Sequence, residues 1–193
     1  TTTGDYRTQL VDALAASMIN QRYQEITRKA NAPFLYAGTG KSELVRPVQI
    51  STVVVQTEAD KSLPGLEAAL TEVERVLQHG FTASELERAK TELLRQFKSS
   101  YDERNNIENS VHAQAYLDNF LTGATPTGAA DDYSLAQELL PGIALDEVDA
   151  AAKALYPAEN RTVLLIAPEK GDATLPTAEE LAAALANSSQ QTV

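Results

Sequence analysis

The chain has 193 residues, no cysteine, two histidines and a formal net charge of −11, with 43 % hydrophobic and 22 % charged residues. This is a globular composition, sufficient for one sizeable core or two small ones. It excludes disulfides and thiol catalysis. With no basic stripe and no apolar run near the roughly 20 residues of a membrane span, it argues against nucleic-acid binding and a membrane helix.

Leu10, Leu14 and Met18 fall on one helical stripe, with Val11, Ala15, Ile19 and Ile26 beside it. The spacing predicts a long amphipathic helix over residues 5–29, ended by Asn31 and Pro33. Residues 33–43 and 47–56 alternate with period two and are β-branched in the second run, which predicts a strand pair broken at Arg46-Pro47. Gly38 and Gly40 read as a bulge or turn, because a nucleotide-binding loop needs a third glycine and a following helix. Residues 62–78 turn helical again through Leu66, Leu70, Val73 and Leu77, and Gly80 fits the left-handed position that closes a helix. Thr82-Ala83-Ser84-Glu85 is a capping box, worth about 1 kcal/mol, opening a helix to about residue 101 with Leu86, Leu93 and Phe97 inward.

Further helices are predicted over residues 107–122, closed by Gly123 and Pro126, over 132–139, and over 145–155. In the last of these Ile143 and Val148 are placed as a hydrophobic staple, and Ala144 has no oxygen to offer as a cap. Val163, Leu164, Leu165 and Ile166 predict a buried strand over 161–167. A helical patch over 178–186 and a polar end follow. The order gives an α+β fold: a mostly antiparallel sheet with helices packed on one face, a two-layer sandwich. Three strands are few for so many helices, so a first strand is expected ahead of Thr1. The start on Thr1-Thr2-Thr3, without Met, is read as that of a fragment or processed product.

Catalytic signals are sparse. His79 and His112 lie far apart, and neither H-E-x-x-H nor H-x-x-E-H occurs. Glu108 and His112 share a helical face, but two ligands alone hold a metal poorly. His79 suits a helix C-terminus. Gly38-Thr39-Gly40-Lys41-Ser42 imitates the end of a phosphate-binding loop without its first glycine. Glu85, Glu87 and Glu92 are spaced for ion pairs with Arg88, Lys90 and Arg95. Tyr101, Tyr116 and Tyr133 read as core edges. No catalytic, metal or substrate-binding residue is therefore assigned.

The run Glu72-Val73-Glu74-Arg75-Val76-Leu77-Gln78-His79-Gly80-Phe81-Thr82-Ala83-Ser84-Glu85-Leu86-Glu87-Arg88-Ala89-Lys90 resembles a signature of the pitrilysin/insulinase family of zinc peptidases, E-hydrophobic-x-R … G-hydrophobic-T-x-x-E-L-x-x-A-K. Met18-Ile19-Asn20-Gln21-Arg22-Tyr23 resembles the end of the first helix of that family's second domain, and Phe120-Leu121-Thr122-Gly123, Val163-Leu164-Leu165-Ile166-Ala167-Pro168-Glu169-Lys170 and Leu175-Pro176-Thr177-Ala178-Glu179-Glu180-Leu181 resemble later pieces in order. The resemblance implies a four-part clamshell whose first part binds zinc through H-x-x-E-H. This chain, lacking that motif, would be the second, non-catalytic part: residues 1–170 a non-catalytic domain, and 171–193 a linker or tail.

The resemblance further implies a parent zinc metalloendopeptidase, with the catalytic zinc domain and a peptide substrate as partners and a periplasmic or exported setting. The zinc itself would lie in the catalytic domain. The alternative is a non-enzymatic interaction subunit partnering a separate catalytic chain. The family's fourth part supplies an Arg and a Tyr to the transition state. Arg22 falls near such an Arg, but Lys29 stands where the Tyr would be, so that role is not carried over and Arg22 is expected at a helix surface or interface.

Overall fold

A computed structural model describes residues 2–45, 48–123, 125–157, 159–168, 174–188, 190 and 192–193. The predicted break at Arg46-Pro47 and the segment Glu169-Lys170-Gly171-Asp172 lie outside them. The chain falls into two compact units, Thr1–Leu14 with Thr82–Val148, and Ala15–Phe81 with Asp149–Val193.

In the first unit, α1 (Thr3–Thr27) starts on a reciprocal cap. Thr2 N–H donates to Asp5 Oδ2 at 2.7 Å and Asp5 N–H to Thr2 Oγ1 at 3.2 Å. Helix α3 (Ala83–Asp102) opens on the predicted capping box: Glu85 N–H donates to Thr82 Oγ1 at 3.3 Å and Thr82 N–H to Glu85 Oε2 at 2.7 Å. Leu86 is buried, while Leu93 and Phe97 are half-buried. This face packs on α5 (Ala129–Leu139), where the Tyr101 and Tyr133 rings lie 5.5 Å apart. Helix α4 (Asn109–Thr122) buries no residue, and it ends on Gly123, whose φ of 71° and ψ of 12° give the left-handed cap.

A 3-10 turn, Leu140–Gly142, leads to α6 (Leu145–Leu155). In place of the cap oxygen that Ala144 lacks, Asp146 Oδ1 accepts from Glu147 N–H at 3.0 Å, and the Glu147 carboxylate accepts from Ala144 N–H through Oε2 at 2.8 Å. Arg7 locks that carboxylate, with Nη2 2.9 Å from Oε2 and 3.0 Å from the Gly142 carbonyl. The Arg7 bonds and, after them, the Ala144 amide hold the Glu147 carboxyl down at about 2. Ile143 and Val148 are both buried, as a staple requires.

In the second unit, the later part of α1 buries Ala15, Met18, Ile19 and Tyr23. The Tyr23 ring meets Phe34 edge-on at 6.0 Å, and its hydroxyl donates to the Ala69 carbonyl at 3.2 Å. Strands β1 (Tyr36–Val45) and β2 (Val48–Gln56) form one antiparallel pair, from Tyr36 opposite Gln56 to Val45 opposite Val48. Gly38 and Gly40 lie in its regular part, not in the predicted bulge or turn; the register shift comes later, between Glu43 and Val45. Gly38 lies under the Tyr36 ring, whose Cζ would stand 2.9 Å from an added Cβ. Asn20 ties α1 to β1 twice, donating from Nδ2 to the Thr39 carbonyl at 3.0 Å and accepting from Thr39 N–H at 2.7 Å.

Helix α2 (Ser62–His79) packs against β2 and against α7 (Ala178–Ser188). Its inward face holds Ala69, Leu70, Val73 and Val76. Helix α7 starts on a capping box that the sequence reading did not pick out: Thr177 N–H donates to Glu180 Oε2 at 2.8 Å and Glu180 N–H to Thr177 Oγ1 at 3.2 Å.

The third strand differs from expectation. Among the described residues the sheet has two strands, and residues 161–168 carry no ladder. Their side chains still alternate between half-buried and exposed, with Leu164 80 % and Ile166 84 % exposed. Alternating β-branched sequence favours extended backbone, but a strand also needs a hydrogen-bonding neighbour. The architecture is therefore helix-rich, with a small antiparallel sheet.

Gly80 closes α2 with φ 70° and ψ −160°, a region open almost only to glycine, and its N–H donates to the Val76 carbonyl at 2.8 Å. A Cβ there would also stand 2.6 Å from Asp149 Oδ2, the carboxylate whose other oxygen accepts from Phe81 N–H at 2.9 Å. Gly80→Ala is expected to destabilise the chain by about 1–3 kcal/mol in urea denaturation; an unchanged midpoint would contradict this geometry.

Candidate functional site

A groove of about 260 Å³ lies wholly in the second unit. One wall is β2, through Ser51, Val53 and Val55. The other is the unladdered stretch of residues 162–165. Leu66, Leu70 and Val73 of α2 and Leu181 and Leu185 of α7 supply an apolar floor. The period-two pattern of β2 puts Ser51, Val53 and Val55 on one face together. The helical stripe of α2 brings its three residues beneath them.

Tyr156 and Glu74 are among the polar groups that line the groove. Tyr156 bonds its hydroxyl to Thr39 Oγ1 at 2.6 Å, and burial pushes its phenol up to about 12. Glu74, only 6 % exposed, has no hydrogen-bond partner among the described residues. Burial holds its carboxyl above the ordinary carboxylate range, and Arg161 partly offsets this. Arg161 acts through charge alone, because its guanidinium donates to the Pro157 carbonyl at 2.6 Å and the Tyr156 carbonyl at 3.4 Å.

Beside this groove, Arg22 is a structural fastener. Its Nη1 stands 3.2 Å from Glu72 Oε1, its Nη2 donates to the Gly80 carbonyl at 3.2 Å, and its guanidinium lies 5.1 Å from the Phe81 ring centroid. Glu72 also takes Arg75 at 3.0 Å. The side chain of Arg22 is only 18 % exposed.

The other singled-out residues do not converge on chemistry. His79, at the end of α2, bonds the Val193 carbonyl through Nε2. In the first unit, Glu108 precedes α4 and bonds Ser110, while His112 is exposed on that helix. Glu87 pairs with Lys90 at 3.3 Å and Glu92 with Arg95 Nε at 2.9 Å, as helical spacing predicts. Tyr116 is 68 % exposed and marks no core edge. Among the described residues no three His, Asp or Glu side chains are grouped to hold a metal ion. The described residues therefore do not fit zinc, and no catalytic step is assigned to them.

Two outcomes follow. Arg22→Met strands Glu72 with only Arg75, so it should cost about 2 kcal/mol, below the ~3–5 kcal/mol of a carboxylate left wholly unpaired. The double variant Arg22→Met, Glu72→Leu should recover most of that loss in the same denaturation assay, and a double variant as weak as the single one would contradict the fastener. Glu74, with its folded pKa raised above the unfolded value of about 4.3, gives stability that is present below that value and lost as pH rises through the folded pKa. Glu74→Gln should raise the melting temperature at pH 7 more than at pH 4; the reverse order would contradict a desolvated carboxylate.

Comparison with known proteins bears on this architecture. No protein-family profile matches the chain. It is 22 % identical over 154 residues to the zinc protease PQQL-like of Arabidopsis thaliana, covering 80 % of this chain and 13 % of that protein. Among solved structures, the first half of the periplasmic protease PqqL from Escherichia coli superposes with a TM-score of 0.73 at 18 % identity, over 80 % of this chain and 33 % of that one. The longer PqqL structure gives 0.72 at 18 % identity, over 80 % of this chain and 17 % of that one. A predicted insulinase family protease from Yersinia pestis gives 0.71 at 14 % identity, over 97 % of this chain and 39 % of that one. The chain thus spans well under half the length of each protein it matches. The chain therefore has the fold of part of these longer insulinase-type proteases and resembles one zinc protease in sequence.

Proposed function

We propose that this chain is a non-catalytic domain of a zinc metallopeptidase, packing on a catalytic zinc domain and forming a wall of the peptide-binding chamber. The observation that carries this reading is its sequence likeness to a zinc protease, spread over 80 % of the chain. Similarity to the first half of PqqL supports a place in the first half of such a protein. Zinc and water activation belong, in this reading, to another part of the parent polypeptide. The periplasmic setting of PqqL supports an exported location here too. The packing of α2 on β2 supports the fuller architecture, a two-layer sandwich with helices on one face of a mostly antiparallel sheet.

The 193-residue chain and the whole polypeptide that its gene encodes separate this reading from its rivals. The whole polypeptide is expected to carry one zinc per active site by elemental analysis, and to cleave an unstructured fluorogenic peptide until a chelator is added. The 193-residue chain alone should do neither. Stoichiometric zinc with peptide cleavage by the 193-residue chain would overturn the proposal.

A further inference from the structure

Helix α4, in the first unit, buries none of its 14 residues. Ala113, Tyr116, Leu117, Phe120 and Leu121 recur at i, i+3, i+4, i+7 and i+8, the spacing that gathers apolar side chains on one face of a helix. The four large ones are all exposed, Phe120 to 85 %. His112, Gln114, Asp118, Asn119 and Thr122 lie on the opposite face. In α2 a stripe of the same kind buries Ala69, Leu70, Val73 and Val76. Helix α4 has the stripe without a core to meet it, and a contiguous exposed apolar face marks an interaction surface.

A membrane is a poor match for this face. Helices that lie on membranes carry Lys and Arg on their polar side, whereas α4 has neither, bears Asp118 and follows Glu108. A second copy is a poor match by size. One face of a 14-residue helix is about 21 Å long and covers on the order of 400 Å². A specific association of separate molecules buries about 800 Å² per partner, because it must offset lost translational and rotational freedom. A domain tethered in the same chain meets its site at an effective concentration near millimolar, so a small face suffices. The matched structures hold ample further chain: this one covers 33 % of the first half of PqqL and 39 % of the Yersinia pestis protease.

We infer that the apolar face of α4 is the docking surface for another domain of the same parent polypeptide. The partner face is apolar, with neutral or basic side chains at the rim beside Glu108 and Asp118. Tyr116 and Phe120 are its anchors, because aromatic side chains are enriched at the buried centre of such contacts. The inference rests on the proposed function and deepens it, by naming the surface through which this domain packs on a neighbour.

Hydroxyl-radical footprinting read by mass spectrometry, on the 193-residue chain and on the whole polypeptide without substrate, tests it. In the whole polypeptide Tyr116 and Phe120 are expected to be oxidised about fivefold more slowly, or slower still, as at the water-excluded centre of an interface. Equal rates in the two would overturn the inference. So would protection that appears only with an added unstructured peptide, or protection of the 193-residue chain that grows with its own concentration. In the whole polypeptide the double variant Leu117→Asp, Phe120→Asp should restore fast oxidation of Tyr116, while His112→Ser, on the polar face, should leave it slow. Any other pattern in these two variants overturns the inference. The double variant should leave the melting temperature of the 193-residue chain within about 2 °C of the unaltered one. A larger fall would place α4 against its own chain and also overturn it. Zinc content and peptide cleavage are read separately. Protection without zinc refutes the proposed function alone, and chelator-sensitive cleavage with Tyr116 still exposed refutes the docking surface alone.

Discussion

A strand at the heart of a fold must satisfy its backbone on both edges, and among the described residues β2 has a strand partner, β1, on one side only. Most features of the second unit become intelligible from this constraint. Helix α2 presents an apolar stripe wider than β2 can cover. Helix α7 closes part of the remainder through Leu181 and Leu185. The stretch after α6 has the composition of a central strand and the exposure of an edge. A lone two-stranded sheet is marginal in water, so this one leans on its helices, through Asn20 on Thr39 and Tyr23 on Phe34 and Ala69.

Electrostatics reinforce the same division between finished and unfinished parts. The Arg22–Glu72–Arg75 cluster is saturated: a nearly buried carboxylate meets two guanidinium groups, and Arg22 also serves the carbonyl of Gly80 at the end of α2. Glu147, in the other unit, is equally well used by Ala144 and Arg7. Glu74 stands apart. Its exposure matches that of Glu72, yet no described residue donates a hydrogen bond to it. A carboxylate held by two guanidinium groups fastens helices, while Glu74 lines the groove with its charged form disfavoured by burial.

Local signals in the sequence were strong where a single element decides its own conformation. The Thr82–Glu85 box, the positive φ at Gly80 and the left-handed Gly123 cap depend on a few neighbouring residues, so spacing reveals them. The Thr177–Glu180 box carried the same T-x-x-E signal and could have been found by it. The third strand was not legible, because Val163 to Ile166 encode extension but not the neighbour that would pair with them. Gly38 was misread as part of a bulge or turn for a related reason: the space it leaves is filled by the Tyr36 ring, a contact with no sequence signature, whereas Gly40 faces open space and nothing in the structure explains it. The groove was equally hidden, since β2, α2, α7 and residues 162–165 come together only in three dimensions. What the sequence did convey was a resemblance to the pitrilysin/insulinase family, through motifs in a fixed order.

The most direct measurement is zinc content by elemental analysis together with fluorogenic peptide cleavage, on the whole polypeptide and on the 193-residue chain. The account predicts stoichiometric zinc and chelator-sensitive cleavage in the whole polypeptide and neither in the 193-residue chain. Stoichiometric zinc with peptide cleavage by the 193-residue chain would contradict it.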